Sequence, residues 1–329
     1  MVKTYRKGRG NEMSESQQST ISKTSLKGKH FLTISEFSNE EIELLIDKAV
    51  EIKSKGTEYK PLSGKILAMI FEKNSTRTRM SFEAGMLQLG GHAIYMNTQD
   101  SQLGRGETIA DTAQVLSQYV NAIMIRTHSH DRIEELSKHS DVPVVNGLTD
   151  LAHPCQALAD ILTLKEKKGT VKGLKMAYVG DGNNVANSLM VICAKLGINF
   201  AIAAPKNYFP DEEIITISKQ IANQTGCEIL VTEDPVQAVK DADAVYADVW
   251  TSMGQEEENE QRLKDFKGYQ INEALVNHAK ADYLFMHCLP AHREEEVSAG
   301  VIDGPNSVVF QQAGNRLHAQ KALLVELLK

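Results

Sequence analysis

The sequence has no apolar run near the ~20 residues that a membrane-spanning helix requires. Residues 1–28, rich in Ser, Lys and Gln, lack the hydrophobic stretch of a secretory signal. These absences set aside membrane insertion and export and lead to the expectation of a cytoplasmic protein. Glu12, Glu15 and the lack of an apolar face also set aside a transit peptide, so 1–28 is expected to be a disordered tail. Cysteine is scarce. The four present (Cys155, Cys193, Cys227, Cys288) are far apart and form no C-x-x-C pair, which fits free thiols in a reducing compartment better than a disulfide framework. Positive charge is short as well: 36 Lys and Arg against 43 Asp and Glu leave a net charge of −7. That balance argues against nucleic acid or an anionic membrane as the main partner. An anionic small molecule must then be drawn in by local positive charge.

What is present reads as a soluble α/β chain. At 329 residues it is long enough for two domains of about 150 each, and 42% apolar with 24% charged residues is ordinary globular composition. Short apolar runs at 65–71, 92–96, 122–126 and 143–146 alternate with helical spacing in the first half. Runs at 174–180, 199–204, 244–250 and 283–286 do the same in the second. Ser38 with Glu41 predicts a capping box on a helix whose apolar face is Ile42, Leu45, Ile46 and Ala49. Strands alternating with helices predict parallel sheets, and parallel sheets collect ligands at the carboxyl ends of their strands.

The strongest chemical signal is Ser75-Thr76-Arg77-Thr78-Arg79, where an apolar strand turns into a helix. A helix N-terminus offers unpaired N–H groups and a positive dipole end. Three hydroxyls and two guanidinium groups in five residues turn that general preference into a phosphate cradle. The bland alternative is an N-cap followed by surface arginines. Arg126 closes a strand, and His153-Pro154-Cys155-Gln156 opens a helix with Pro154 at its first position, so that His153 and Gln156 can face a ligand held there.

In the second half, Gly180-Asp181-Gly182-Asn183-Asn184-Val185 nearly matches a dinucleotide-binding turn, which raises an oxidoreductase as the rival reading. Val185 replaces the third glycine, and Ala204-Pro205-Lys206 stands where a ribose-binding acid is wanted. Asn183 and Asn184 suit an amino-acid carboxylate or amine instead. Asp248 closes a strand, and the acidic run 255–260 is expected to begin a solvated helix. His287, Cys288 and His292 fall short of the four ligands of a structural zinc site, so no metal is expected.

Taken together, S-T-R-T-R, H-P-C-Q (Cys155 in the variable place), D-V-W-T-S-M-G from Asp248 and H-C-L-P-A-H-R from His287 resemble, in order, the motifs of the aspartate/ornithine carbamoyltransferases. The resemblance runs from about residue 29 to the end and favours the ornithine branch, because no basic residues for a second carboxylate accompany Asp248. It implies two parallel-sheet α/β domains joined by two linking helices, with the active site in the cleft between them. A carbamoyl-phosphate domain would comprise 29–152 with 312–329, and an ornithine domain 153–311, of which 153–166 is a linking helix. The activity implied is transfer of the carbamoyl group of carbamoyl phosphate to the δ-amine of L-ornithine, without metal or organic cofactor, in a homotrimer. Ser75, Thr76, Arg77, Thr78, Gln102, Arg126, His153, Gln156, Cys288, Leu289 and Arg316 would then bind carbamoyl phosphate. Asn184, Asp248, Ser252 and Met253 would bind ornithine, and Arg126, His153, Asp248 and Cys288 would carry the chemistry. A non-catalytic anion-binding subunit on the same fold is the third possibility.

Overall fold

The computed structural model describes residues 25–56, 58–98, 102–251 and 256–329. Residues 1–24 of the expected tail lie outside the described residues. The first half opens with α1 (Asn39–Ser54), whose capping box forms as the sequence predicts. Ser38 Oγ accepts from the Glu41 N–H at 3.2 Å, and Glu41 Oε2 accepts from the Ser38 N–H at 2.9 Å. There follow β1 (Ile66–Phe71), α2 (Thr76–Gln88), β2 (His92–Asn97), α3 (Ile109–Tyr119), β3 (Ala122–Arg126), α4 (His130–His139) and β4 (Val144–Leu148). Strands β1 and β3 are buried almost throughout because helices cover both faces of the sheet.

The second half contains β5 (Lys175–Val179), α6 (Asn184–Lys195), β6 (Asn199–Ala203), α7 (Glu212–Thr225), β7 (Ile229–Thr232), α8 (Pro235–Val239) and β8 (Ala244–Ala247). After β8 come α9 (Asn259–Asp265), α10 (Glu273–Val276), β9 (Leu284–His287) and α11 (Ala299–Ile302). Two long helices pass between the halves. One, α5 (Pro154–Lys168), is buried at every position from 154 to 164. The other, α12 (Val309–Leu328), follows α11 and packs on α5, α1 and α2, returning the chain to its first half.

Both sheets are wholly parallel among the described residues, ordered β2-β1-β3-β4 and β7-β6-β5-β8-β9. Each therefore has a point where successive connections leave in opposite directions, between β1 and β3 in one and between β5 and β8 in the other. Crevices open at such points, beyond the carboxyl ends of the strands. Direct bonds hold the two crevices face to face. Asn184 Nδ2 donates to Thr149 O (2.5 Å), Asn187 Nδ2 to Leu151 O (3.0 Å), and the His153 N–H to Ser188 Oγ (2.8 Å).

The acidic run near 255–260 begins a helix as expected: its described residues form a 3₁₀ turn, Glu256–Glu258, and the start of α9, with Glu257, Glu258 and Glu260 exposed. One of its charges also has a structural partner. Glu258 accepts from Arg262 Nε (3.0 Å), and the buried Arg262 reaches Asp181 Oδ2 (2.9 Å) and Trp250 O (2.9 Å). This contact pins the chain after β8 to the turn after β5. Burial nevertheless holds the Asp181 carboxyl up at about 6, against the pull of Arg262.

The glycine-rich turn after β5 packs against protein. A Cβ on Gly182 would stand 2.2 Å from the Pro210 nitrogen and 2.5 Å from the Phe209 carbonyl carbon, and its N–H donates to Tyr208 O (2.8 Å). The space where a dinucleotide would approach is filled by residues 208–210, which sets the oxidoreductase reading aside. Gly182→Ala should therefore cost about 1–3 kcal/mol through overpacking, since backbone cannot move aside as a side chain can. Thermal unfolding reads this directly, and an unchanged Tm would contradict the packing described.

Candidate active site

The site begins with a strand that ends and a helix that starts. After β1, Ser75 adopts extended backbone and caps α2, its Oγ accepting from the Thr78 N–H at 3.2 Å. The N–H groups of that first turn then face the cleft between the halves, a cavity of about 620 Å³. Arg77, half-buried, lines it from α2; Arg126 from the end of β3; Arg316 from α12. Among the described residues none of the three is bonded to a carboxylate. Arg126 is nearly buried with no partner at Nε, and its guanidinium is pushed down to about 10 by burial, then by Arg316 and Arg77. Among the described residues Arg316 donates to neutral groups alone: Gln320 Oε1 (2.9 Å), Gln156 Oε1 (2.7 Å) and Thr78 Oγ1 (3.4 Å). Like charges crowded together without counter-charge form a site for an anion.

His153 caps α5, and its buried Nδ1 has no partner among the described residues. Burial foremost, then Arg316 and Arg126, hold its pKa well below the usual imidazole value. The ring is therefore neutral at neutral pH. Gln156, one turn into α5, presents its carbonyl to Arg316 and its NH2 to Asp160 Oδ1 (2.8 Å).

The opposite wall comes from the second sheet. Asn183 caps α6, its Oδ1 accepting from the N–H groups of Val185 (2.9 Å) and Ala186 (3.3 Å), while its Nδ2 donates to Asp248 Oδ2 (2.8 Å). Asp248, just past β8, also accepts from its neighbour's N–H at Val249 (2.8 Å) and from Cys288 Sγ (2.9 Å). Burial and Asp248 raise the Cys288 thiol well above its ordinary value, so it stands as a neutral donor. His287, fully buried, accepts from the Leu289 N–H at Nδ1 (2.9 Å) and donates from Nε2 to Glu296 Oε1 (3.1 Å). With both ring nitrogens engaged, His287 has no lone pair for a metal despite its closeness to Asp248 and Cys288.

Of the residues singled out from sequence, Ser75, Thr76, Arg77, Thr78, Arg126, His153, Gln156, Asn184, Asp248, Cys288, Leu289 and Arg316 all line this cleft. Ser252 and Met253 lie outside the described residues. Gln102 is elsewhere: it sits exposed on a 3₁₀ turn and lines a separate hollow between β2 and α3. Arg79 also departs from the cradle. It lies 3.8 Å over the Tyr95 ring and bonds Glu83 through Nε (3.2 Å), because positions two apart on a helix point to different faces. The sequence reading missed Lys73, which lines the cleft and donates to Asp150 Oδ1 (2.6 Å), and the part of Asn183 in holding Asp248. Lys73 had one available signal, its place between the strand and the hydroxyl run.

Comparison with known proteins matches this geometry to one family. Residues 29–166 match the carbamoyl-P binding domain of aspartate/ornithine carbamoyltransferases, and residues 172–327 match their Asp/Orn binding domain. The ornithine carbamoyltransferase of Anoxybacillus flavithermus is 62% identical over 306 residues, covering 92% of this chain and 98% of its own. That of Bacillus subtilis is 60% identical over 310 residues, covering 94% and 97%. Among solved structures, ornithine carbamoyltransferase from Pyrococcus furiosus superposes with a TM-score of 0.89 at 56% identity, over 93% of this chain and 98% of its own.

The raised Cys288 thiol has a measurable consequence. Thiolate is the reactive form, so native-state alkylation by iodoacetamide at about pH 7.5 should run at least about tenfold slower at Cys288 than at a free thiol, accelerating only at more alkaline pH. Peptide mass spectrometry against time gives the rate; free-thiol reactivity at Cys288 would refute a protonated, Asp248-bonded sulfur.

Proposed function

The chain belongs to the aspartate/ornithine carbamoyltransferase family, and from that premise we propose that it carries the carbamoyl group of carbamoyl phosphate to the δ-amine of L-ornithine, yielding L-citrulline and phosphate. The observation that carries this reading is the convergence of Arg77, Arg126 and Arg316, free of carboxylates, opposite the Asp248–Cys288 pair.

Carbamoyl phosphate is a phosphate dianion joined to a planar amide. Ser75, Thr76, Arg77 and Thr78, on the helix start, hold the phosphate together with Arg126 and Arg316. Neutral His153, with Arg126 and Thr78, polarises the carbonyl and stabilises the oxyanion as the amine attacks; one such donor is typically worth ~2.7–4 kcal/mol. Gln156 and the backbone carbonyls near Cys288 and Leu289 accept from the carbamoyl NH2. Asn184, Asp248 and the Ser252–Met253 backbone hold the α-amino and α-carboxylate groups of ornithine. Its δ-ammonium, with a pKa of about 10.4 in water, must lose a proton before nitrogen has a lone pair to offer. The amine nitrogen then bonds to the carbamoyl carbon, and the carbon–oxygen bond to phosphate breaks with both electrons leaving on phosphate. A thiol that is already protonated cannot take the amine's proton, which leaves Asp248 or the departing phosphate as acceptor.

In this reading residues 29–152 with 312–329 form the carbamoyl-phosphate domain, and 153–311 the ornithine domain. The protein works as a homotrimer in the cytoplasm, in arginine biosynthesis. The position of Gln102 supports the trimer: a residue expected at carbamoyl phosphate stands outside its own cleft, beside the edge strand β2, from which it would reach a neighbour's.

Two experiments test the reading. Arg77→Ala should leave the fold intact while weakening carbamoyl-phosphate binding on the order of tenfold to a hundredfold, since hydrogen bonds to charged groups contribute ~1.5–3 kcal/mol; unchanged affinity by calorimetry would remove Arg77 from the site. With carbamoyl phosphate and equal concentrations of competing acceptors, L-ornithine should be consumed in strong preference to putrescine or aspartate. Putrescine lacks the carboxylate and leaves donors unpaired, a mismatch that costs up to about 10⁴-fold. Citrulline is the readout, and equal kcat/KM for aspartate or putrescine would sink the assignment.

A further inference from the structure

Behind the cleft lies a buried carboxylate that the mechanism above does not use. Asp160, on α5, is fully buried and has no cation bonded to it among the described residues. Its Oδ1 accepts from Gln156 Nε2 (2.8 Å) and Gln312 Nε2 (2.8 Å), and its Oδ2 from Tyr246 Oη (3.1 Å). Gln312 Nε2 also donates to Tyr246 Oη (3.1 Å). A carboxylate here is expensive, because a buried charge loses its hydration before any hydrogen bond is counted. An apolar side chain would pack the same volume without that cost.

The orientation of the two amides explains the choice. A side-chain amide has a donating end and an accepting end, and an ionised carboxylate only accepts. Asp160 therefore turns both NH2 groups inward and both carbonyls outward. The Gln156 carbonyl meets Arg316 Nη1 (2.7 Å), and the Gln312 carbonyl accepts from the His287 N–H (2.8 Å), one residue before Cys288. One guanidinium of the anion site and the backbone that carries Cys288 and Leu289 are thus set by the same buried group.

We infer that Asp160 is a positioning residue for carbamoyl transfer: through Gln156 it aims Arg316 into the anion site, and through Gln312 it fixes the backbone around Cys288. The inference rests on the carbamoyl-transfer reading above. Protonation at Oδ2 would be met by the Tyr246 hydroxyl, which can turn from donor to acceptor, while Oδ1 goes on accepting from both amides. Burial holds this carboxyl up at about 6, offset in part by its three donors and by Arg316. The titratable and charged groups facing it are Tyr246 from β8, Cys193 from α6, Cys288 after β9 and Arg316 from α12. Burial pushes Tyr246, Cys193 and Cys288 well above their ordinary values, away from that range.

The test compares full-length wild type with Asp160→Asn and Asp160→Leu in the citrulline assay. Asparagine can still accept both amides at Oδ1 and turn its NH2 to Tyr246, so near pH 8 its kcat/KM for carbamoyl phosphate should stay within about tenfold of wild type. Leucine offers no acceptor, and misplacing the reacting groups should cost on the order of a hundredfold, shared between KM and kcat, at near-native circular dichroism. Asparagine matches the hydrogen-bonding pattern of a protonated Asp160, so the ratio of wild-type kcat/KM to that of Asp160→Asn should stay within about tenfold from about pH 5 to 8. The ratio also cancels titration of the substrates. Should Asp160→Leu fail to fold, Asp160→Ala, which also offers no acceptor, takes its place, and wild-type kinetics in that variant overturn the inference. A folded Asp160→Leu with wild-type kinetics overturns it equally. Wild type that makes no citrulline is a distinct result, and it removes the carbamoyl-transfer reading together with this one.

Discussion

Holding guanidinium groups out of water without giving them carboxylates is the constraint on which this molecule's arrangement depends. An arginine that forms a tight ion pair has spent its directed N–H groups, whereas one left beside amides and hydroxyls keeps them for a ligand. Arg316 follows the second course, with Gln156, Gln320 and Thr78 as its partners. The cost is desolvation and mutual repulsion, visible in the lowered pKa of Arg126 and in the neutrality imposed on His153. Much of the surrounding polar architecture follows from that cost: neutral capping residues, an amide relay, and a carboxylate kept one residue removed from the guanidinium.

The fold meets the constraint by setting two strand-order reversals against one another. Each sheet on its own offers a shallow crevice at its switch point. Apposed and bonded across by Asn184, Asn187 and Ser188, the crevices become a cleft whose walls carry different chemistry. The wall at β1 and β3 is cationic, and the wall at β5 and β8 presents Asp248, Asn183 and a neutral thiol. A substrate carrying two negative charges and one carrying an ammonium are thereby directed to opposite sides of the same space.

Much of this was legible in sequence because the signals are local. Strand periodicity, a hydroxyl run at a helix start and a proline at the first helical position each span a few residues, and Ser75 and His153 stand out that way; Arg126 and Asp248 are placed at strand ends by pattern and given roles by the family resemblance. Pairings between distant segments left no such trace. Lys73 with Asp150, Arg262 with Asp181, and Asp160 with Gln312 are each separated by dozens of residues or more, and only tertiary packing joins them. Arg79 had the right chemistry and the wrong face, since a helix turns it away from Arg77. Gln102 marks a different limit: the cleft of a single chain does not include it.

The return of α12 has a consequence for how the protein is made. The helices α1 and α2, from the first third of the chain, are packed against residues 309–328, which are translated long after them. Until residues 309–328 emerge, apolar faces of the first half stay uncovered, and Arg316 has not yet joined the anion site. Synthesis from the amino end thus cannot finish one domain before beginning the next. The nascent first half must remain soluble with an incomplete core for the whole time the second is being translated, and the binding site is completed only after residues 309–328 have been made.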